Sequence, residues 1–110
     1  MIQLCMGIPY CAPDDPRTFQ ALADAVPANW TFSAFSIGRM QLPFVAQAAL
    51  AGSNVRVGLE DNIYLSKGQL ASNGDLVSRA RTILEAMNAR VLTPAEVREK
   101  LSLVKRGPGT

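Results

Sequence analysis

Apolar residues recur along the chain with two alternating spacings, and the switches between them mark three strand-then-helix units. Gln3 to Ile8 is a short, mostly apolar run closed by Pro9, the pattern of a buried strand. Asp14-Asp15-Pro16 then supplies a helix start, a carboxylate to cap and a proline in the first turn, where its missing N–H costs nothing. Phe19, Leu22, Ala23 and Val26 follow at helical spacing, and Pro27 stops that helix. The second unit opens at Trp30. Trp30 to Ile37 is rich in aromatic residues, has no breaker and ends at Gly38, which predicts a second strand. Leu42 to Ala51 predicts a mostly buried helix, with Pro43 in its first turn and Gly52 as its stop.

In the third unit, Val55-Arg56-Val57-Gly58-Leu59 alternates as a strand does, and Glu60 to Ala71 reads as a long polar loop anchored by Ile63, Tyr64 and Leu65. Ser72-Asn73-Gly74-Asp75 opens a helix whose apolar stripe is Leu76, Ala80, Ile83, Leu84 and Met87. Thr93-Pro94-Ala95-Glu96 is a capping box that starts a short last helix running to about Leu101. Strands alternating with helices across short loops predict an α/β layer with parallel strands. A closed barrel needs eight strands, so three such units leave two unpaired edges.

Composition narrows the function classes. Of 110 residues, 48% are apolar, enough for one packed core. The net charge of +2 and the lack of a long basic run give nucleic-acid binding no electrostatic support. Arg98, Lys100, Lys105 and Arg106 read as a solvated helix face and tail. No stretch reaches the roughly 20 apolar residues of a membrane span, and Met1 to Leu4 lacks the pattern of a signal peptide. A cytoplasmic protein without a membrane partner is the expectation. Cys5 and Cys11 are the only cysteines and there is no histidine, so the usual four-ligand zinc site is excluded. Two free thiols are expected in a reducing compartment, and a disulfide in an oxidising one.

Candidate chemistry concentrates at the end of the third strand. Alternation puts Val55, Val57 and Leu59 on one face, and Arg56, Gly58 and Glu60 on the other. An arginine on an inward face calls for a carboxylate or an anionic ligand beside it. Glu60 and Asp61 stand where barrel enzymes place active sites. Such a pair can divide metal binding and base catalysis, or it can simply close a turn. Gly38 and Arg39, ending the second strand on the same rim, suit either an anion or a plain turn. Ser66-Lys67-Gly68 lacks the spacing of a phosphate loop and reads as solvated.

The fourteen residues from Val55 to Gly68 (VRVGLEDNIYLSKG) strongly resemble the last-strand signature of the β-keto acid cleavage enzymes, whose type member is the 3-keto-5-aminohexanoate cleavage enzyme of lysine fermentation. The resemblance continues through Phe35 to Pro43, Leu70 to Asn73 and Thr93 to Arg98, in order. It implies the C-terminal part of a TIM (β/α)8 barrel, about three of its eight units. Residues 1–104 would be that partial barrel and 105–110 a flexible tail. It implies a metal-dependent transferase that converts a β-keto acid and acetyl-CoA into acetoacetate and a new acyl-CoA, and a homo-oligomer at full length. By the same resemblance Glu60 is the carboxylate ligand of a zinc ion, Asp61 the base that takes the proton alpha to the keto group, and Arg56 the support for that aspartate.

The family's other metal ligands are histidines, which this chain lacks. It is therefore expected to be a fragment, inactive alone. The competing expectations are a non-catalytic α/β module that oligomerises through its open sheet edges, and a truncated gene product.

Overall fold

The computed structural model describes residues 1–104, 106 and 107, so most of the expected tail from 105 to 110 lies outside the described residues. Three parallel strands form the central sheet in the order β1 (Ile2–Met6), β2 (Phe32–Ser36), β3 (Asn54–Val55). Leu4 pairs with Ala34, Met6 with Ser36, and Ala34 with Val55. Chain order equals spatial order, as the alternation of strands and helices predicts, and each crossover carries a helix. These are α1 (Pro16–Ala25) and α2 (Gln41–Leu50).

One face of the sheet makes the core. Met6 and Ala34 pack with Phe19 of α1 and with Phe44 and Ala48 of α2, and Leu4 and Val55 complete the layer. Phe19 and Phe44 meet edge to face, ring centres 4.9 Å apart. The remaining helices are α3 (Asn73–Ala86), which buries Leu76 and Ala80 of its expected stripe, and α4 (Pro94–Lys100). Both begin with capping boxes, Ser72 with Asp75 and Thr93 with Glu96.

Asp14 and Asp15 divide the start of α1 between them. Asp15 caps the helix, accepting the Thr18 amide at 2.9 Å. That backbone hydrogen bond holds its carboxyl below the usual range. Asp14 instead accepts the Ser36 hydroxyl at 2.8 Å, tying the end of β2 to the loop after β1. Gly7 sits in that junction at φ +91°, and a β-carbon there would lie 2.5 Å from Ser36 Oγ. Glycine is needed at this position for both backbone and space.

Several expectations change. The third strand pairs only through Asn54–Val55, not to Leu59. It is an edge with a partner on one side, and the chain turns soon after, so little remains to extend the ladder. The loop from Glu60 to Ala71 contains a hairpin of β4 (Tyr64–Ser66) and β5 (Gln69–Leu70), turning through Lys67 and Gly68. Gly68 supplies the positive φ such turns demand. Cys5 and Cys11 form a disulfide, Cα atoms 5.6 Å apart, in place of the expected thiols. The loop after β1 folds back so that Ala12 bridges Met6 and the Gly7 amide bonds the Ala12 carbonyl at 2.8 Å, which brings the two cysteines together. No helix among the described residues is long and apolar enough to cross a membrane.

Candidate active site

Arg56 follows β3 directly and projects from the sheet face opposite the helices. Its guanidinium lies 4.6 Å from the centre of the Phe35 ring, and Nη1 donates to Gln3 Oε1 at 3.2 Å. Gln3 and Phe35 belong to the alternate positions of β1 and β2, away from the core. Arg56 therefore lies on the face opposite Val55, as alternation predicts, although the strand ends one residue before it.

The carboxylates expected beside it are there. Arg56 Nη2 donates to Glu60 Oε2 at 2.8 Å, and Arg56 Nε lies 3.5 Å from Asp61 Oδ2. The two acids differ sharply in exposure. The Glu60 side chain is 81% exposed and that of Asp61 only 7%. Asp61 Oδ2 is buried without a hydrogen bond, so its charge rests on the nearby guanidinium. One guanidinium thus joins a solvated carboxylate to a buried, under-satisfied one.

A backbone turn sets this geometry. The amides of Asp61 and Asn62 both reach the Gly58 carbonyl at 3.2 Å. Gln41, buried at the start of α2, donates to the same carbonyl at 3.0 Å. Asn73, at the start of α3, accepts the Leu59 amide at 2.8 Å. The Gly38 amide donates to the Asp61 carbonyl at 2.7 Å. That bond occupies the amide which the sequence offered to an anion, so Gly38 clamps the acidic turn instead. Gln41, Asn73, Gln3 and Phe35 were not singled out from the sequence. Only Phe35 carried a signal, its register opposite the residue after Val55; a buried glutamine and a helix-start asparagine look ordinary in sequence.

The chain's own donors do not fit a catalytic zinc ion. Such sites take three protein ligands. Among the described residues no group of three His, Cys, Asp or Glu could hold a metal. Glu60 is one carboxylate, already bonded to Arg56, and both cysteines are in the disulfide.

An open groove of about 1220 Å³ adjoins the turn, lined by Leu42 and Pro43 of α2, by Leu59 to Gly68, and by Arg39 and Arg79. A family model described as beta-keto acid cleavage enzyme matches residues 1–103. The chain belongs to the beta-keto acid cleavage enzyme family. Within this family it is 60% identical over 106 residues to the 3-dehydrocarnitine:acetyl-CoA trimethylamine transferase of Rhizobium meliloti, covering 96% of this chain and 35% of that protein. It is 38% identical over 101 residues to the 3-keto-5-aminohexanoate cleavage enzyme of Acetoanaerobium sticklandii, covering 91% and 37%. It is 36% identical over 93 residues to the 3,5-dioxohexanoate:acetyl-CoA acetone transferase of Paraburkholderia graminis, covering 83% and 30%. The chain thus spans about a third of the length of the curated relatives it matches.

Proposed function

We propose that this chain supplies the acid–base end of an active site that transfers an acyl group between a β-keto acid and acetyl-CoA. The observation that carries the reading is Arg56 bridging exposed Glu60 and buried, under-satisfied Asp61 in one turn. A general base needs a carboxylate whose lone pairs are not already taken. Asp61 Oδ2 meets that need, and the Gly38, Gln41 and Asn73 hydrogen bonds hold the turn that carries it. Asp61 takes the proton from the carbon alpha to the keto group. Arg56 faces the Asp61 carboxylate at 3.5 Å before transfer and offers positive charge to the enolate oxygen that develops. Acetyl-CoA, which appears in the names of the Rhizobium and Paraburkholderia relatives, is the acyl partner of the carbanion.

Glu60 is proposed as one carboxylate ligand of a divalent metal, zinc in the resemblance, completed by groups outside this chain. Its exposure leaves it accessible for that, at the cost of its bond to Arg56. The barrel is a proposal of the same kind, supported by three parallel strands in sequential order with their helices on one face. Identity of 60% against 38% favours a keto acid related to 3-dehydrocarnitine over 3-keto-5-aminohexanoate.

The test replaces the matching segment of the Rhizobium meliloti relative with this chain. The chimera should form acetoacetate from a β-keto acid and acetyl-CoA, and the isolated chain should not. A folded chimera with no turnover, or turnover by the chain alone, contradicts the reading. The open edges of β1 and β3 favour a second reading, a module that pairs sheet edges with another copy. A defined oligomer of the isolated chain in sedimentation would support it, and a monomer would exclude it.

A further inference from the structure

Every nitrogen of the Arg56 guanidinium has a partner. Nε faces Asp61 Oδ2 at 3.5 Å, and Nη2 donates to Glu60 Oε2 at 2.8 Å. Nη1 donates to Gln3 Oε1 at 3.2 Å, and the Phe35 ring meets the flat face of the cation. The sheet order β1-β2-β3 puts Gln3 two strands away from Arg56. Adjacent strands lie about 4.8 Å apart, so the contact bridges roughly 10 Å of sheet. Two long side chains reaching toward each other can cover that span. The register sets the stage for it. Ser33 pairs with Gln3 and Phe35 pairs with Cys5, so Gln3 and Phe35 share the face from which Arg56 projects.

A guanidinium is planar and can meet carboxylates along either of two edges, side-on through Nε and Nη2 or end-on through Nη1 and Nη2. The Gln3 bond occupies Nη1, which closes the end-on edge and leaves the side-on edge to Asp61 and Glu60. Neither acid fixes the group unaided. The Glu60 side chain is 81% exposed, and ion pairs to such groups hold weakly. The Asp61 contact, at 3.5 Å, is longer than a strong charge-assisted hydrogen bond. Phe35 is buried, so its ring offers a fixed surface to the cation. Gln3 is a neutral acceptor, so it orients Arg56 without bringing a third negative charge. We infer that Gln3 and Phe35 are positioning residues that hold Arg56 side-on to Asp61 for the proton transfer.

The role in proton transfer rests on the proposed function, whereas the hold on Arg56 does not. The test therefore reads both. In nitrogen-15 spectra of the chain, the Arg56 Nε–H proton should be shifted upfield by the Phe35 ring, and Phe35→Leu should remove that shift. Gln3 is exposed, so its substitutions leave the packing intact. Gln3→Met should speed rotation of the guanidinium about its Nε–Cζ bond roughly three- to tenfold, the effect of one lost hydrogen bond. Gln3→Glu keeps the acceptor and should restore slow rotation. In the chimera with the Rhizobium meliloti relative, Gln3→Met and Phe35→Leu should each lower kcat roughly three- to tenfold. The KM for acetyl-CoA should stay the same, and so should the melting temperature of the Gln3→Met chimera. Arg56 spectra that ignore both substitutions overturn the proposal. A variant chimera that keeps its full kcat removes that residue from the role. A parent chimera without turnover contradicts the acyl-transfer reading instead, and the spectra then decide the hold on Arg56 by themselves.

Discussion

Gln41 Nε2 and the Gly58 carbonyl oxygen are 3.0 Å apart, which locks the start of α2 onto the turn that carries Glu60 and Asp61. Gly58 also accepts two backbone amides, so losing Gln41 does not orphan its carbonyl. Gln41 Oε1 is itself buried without a partner, a cost that a leucine would remove. Gln41→Leu should therefore change unfolding free energy by less than about 1 kcal/mol. It should still loosen the turn, raising hydrogen exchange at the Asp61 and Asn62 amides roughly fivefold, about the effect of one lost hydrogen bond on local opening. Unchanged exchange at those amides would show that Gln41 does not hold the turn.

The Cys5–Cys11 disulfide closes a short loop at the end of β1. In the chain-entropy description, a loop of this size stabilises the fold by about 2 kcal/mol. The oxidised protein should show no titratable thiol until denatured and reduced, and reduction should lower its denaturant midpoint by the corresponding amount. Two reactive thiols in the native oxidised protein would contradict the bridge.

Helix α4 should be acid-sensitive well below the normal carboxylate range. Arg90, 2.7 Å from Glu96, and the Thr93 cap together lower the Glu96 pKa from 4.5 to about 2. A depressed folded-state pKa means that the stabilisation is complete above about pH 4.5 and fades as pH falls toward 2. The Glu96 and Thr93 amide resonances should titrate with a midpoint near pH 2, and Arg90→Gln should move it upward. A midpoint near 4.5 in the native chain would mean that the ion pair and cap do not persist in solution.

Local chemistry made much of the fold legible. Asp15-Pro16, Ser72 with Asp75, and Thr93-Pro94 with Glu96 each start a helix where the sequence puts one, because capping is set within a few residues. What depends on distant partners was less visible. Trp30 looks like a strand residue, yet its amide bonds the Pro27 carbonyl and β2 begins at Phe32. The third strand alternates well in sequence but lies at an edge, where pairing depends on its neighbours. The disulfide depended on a loop folding back, which spacing alone does not reveal. At the site, alternation placed Arg56 on the correct face. The unequal burial of Glu60 and Asp61 came from the Gly38, Gln41 and Asn73 contacts across three elements.

The measurement that bears most directly on the site is steady-state turnover by the chimera carrying Asp61→Asn. The substitution keeps the side-chain shape and removes the basic lone pair and the charge facing Arg56. If Asp61 is the base, kcat should fall by about 10²–10⁴, with the KM for acetyl-CoA and the melting temperature little changed. An Asp61→Asn chimera that keeps its kcat would contradict the assignment.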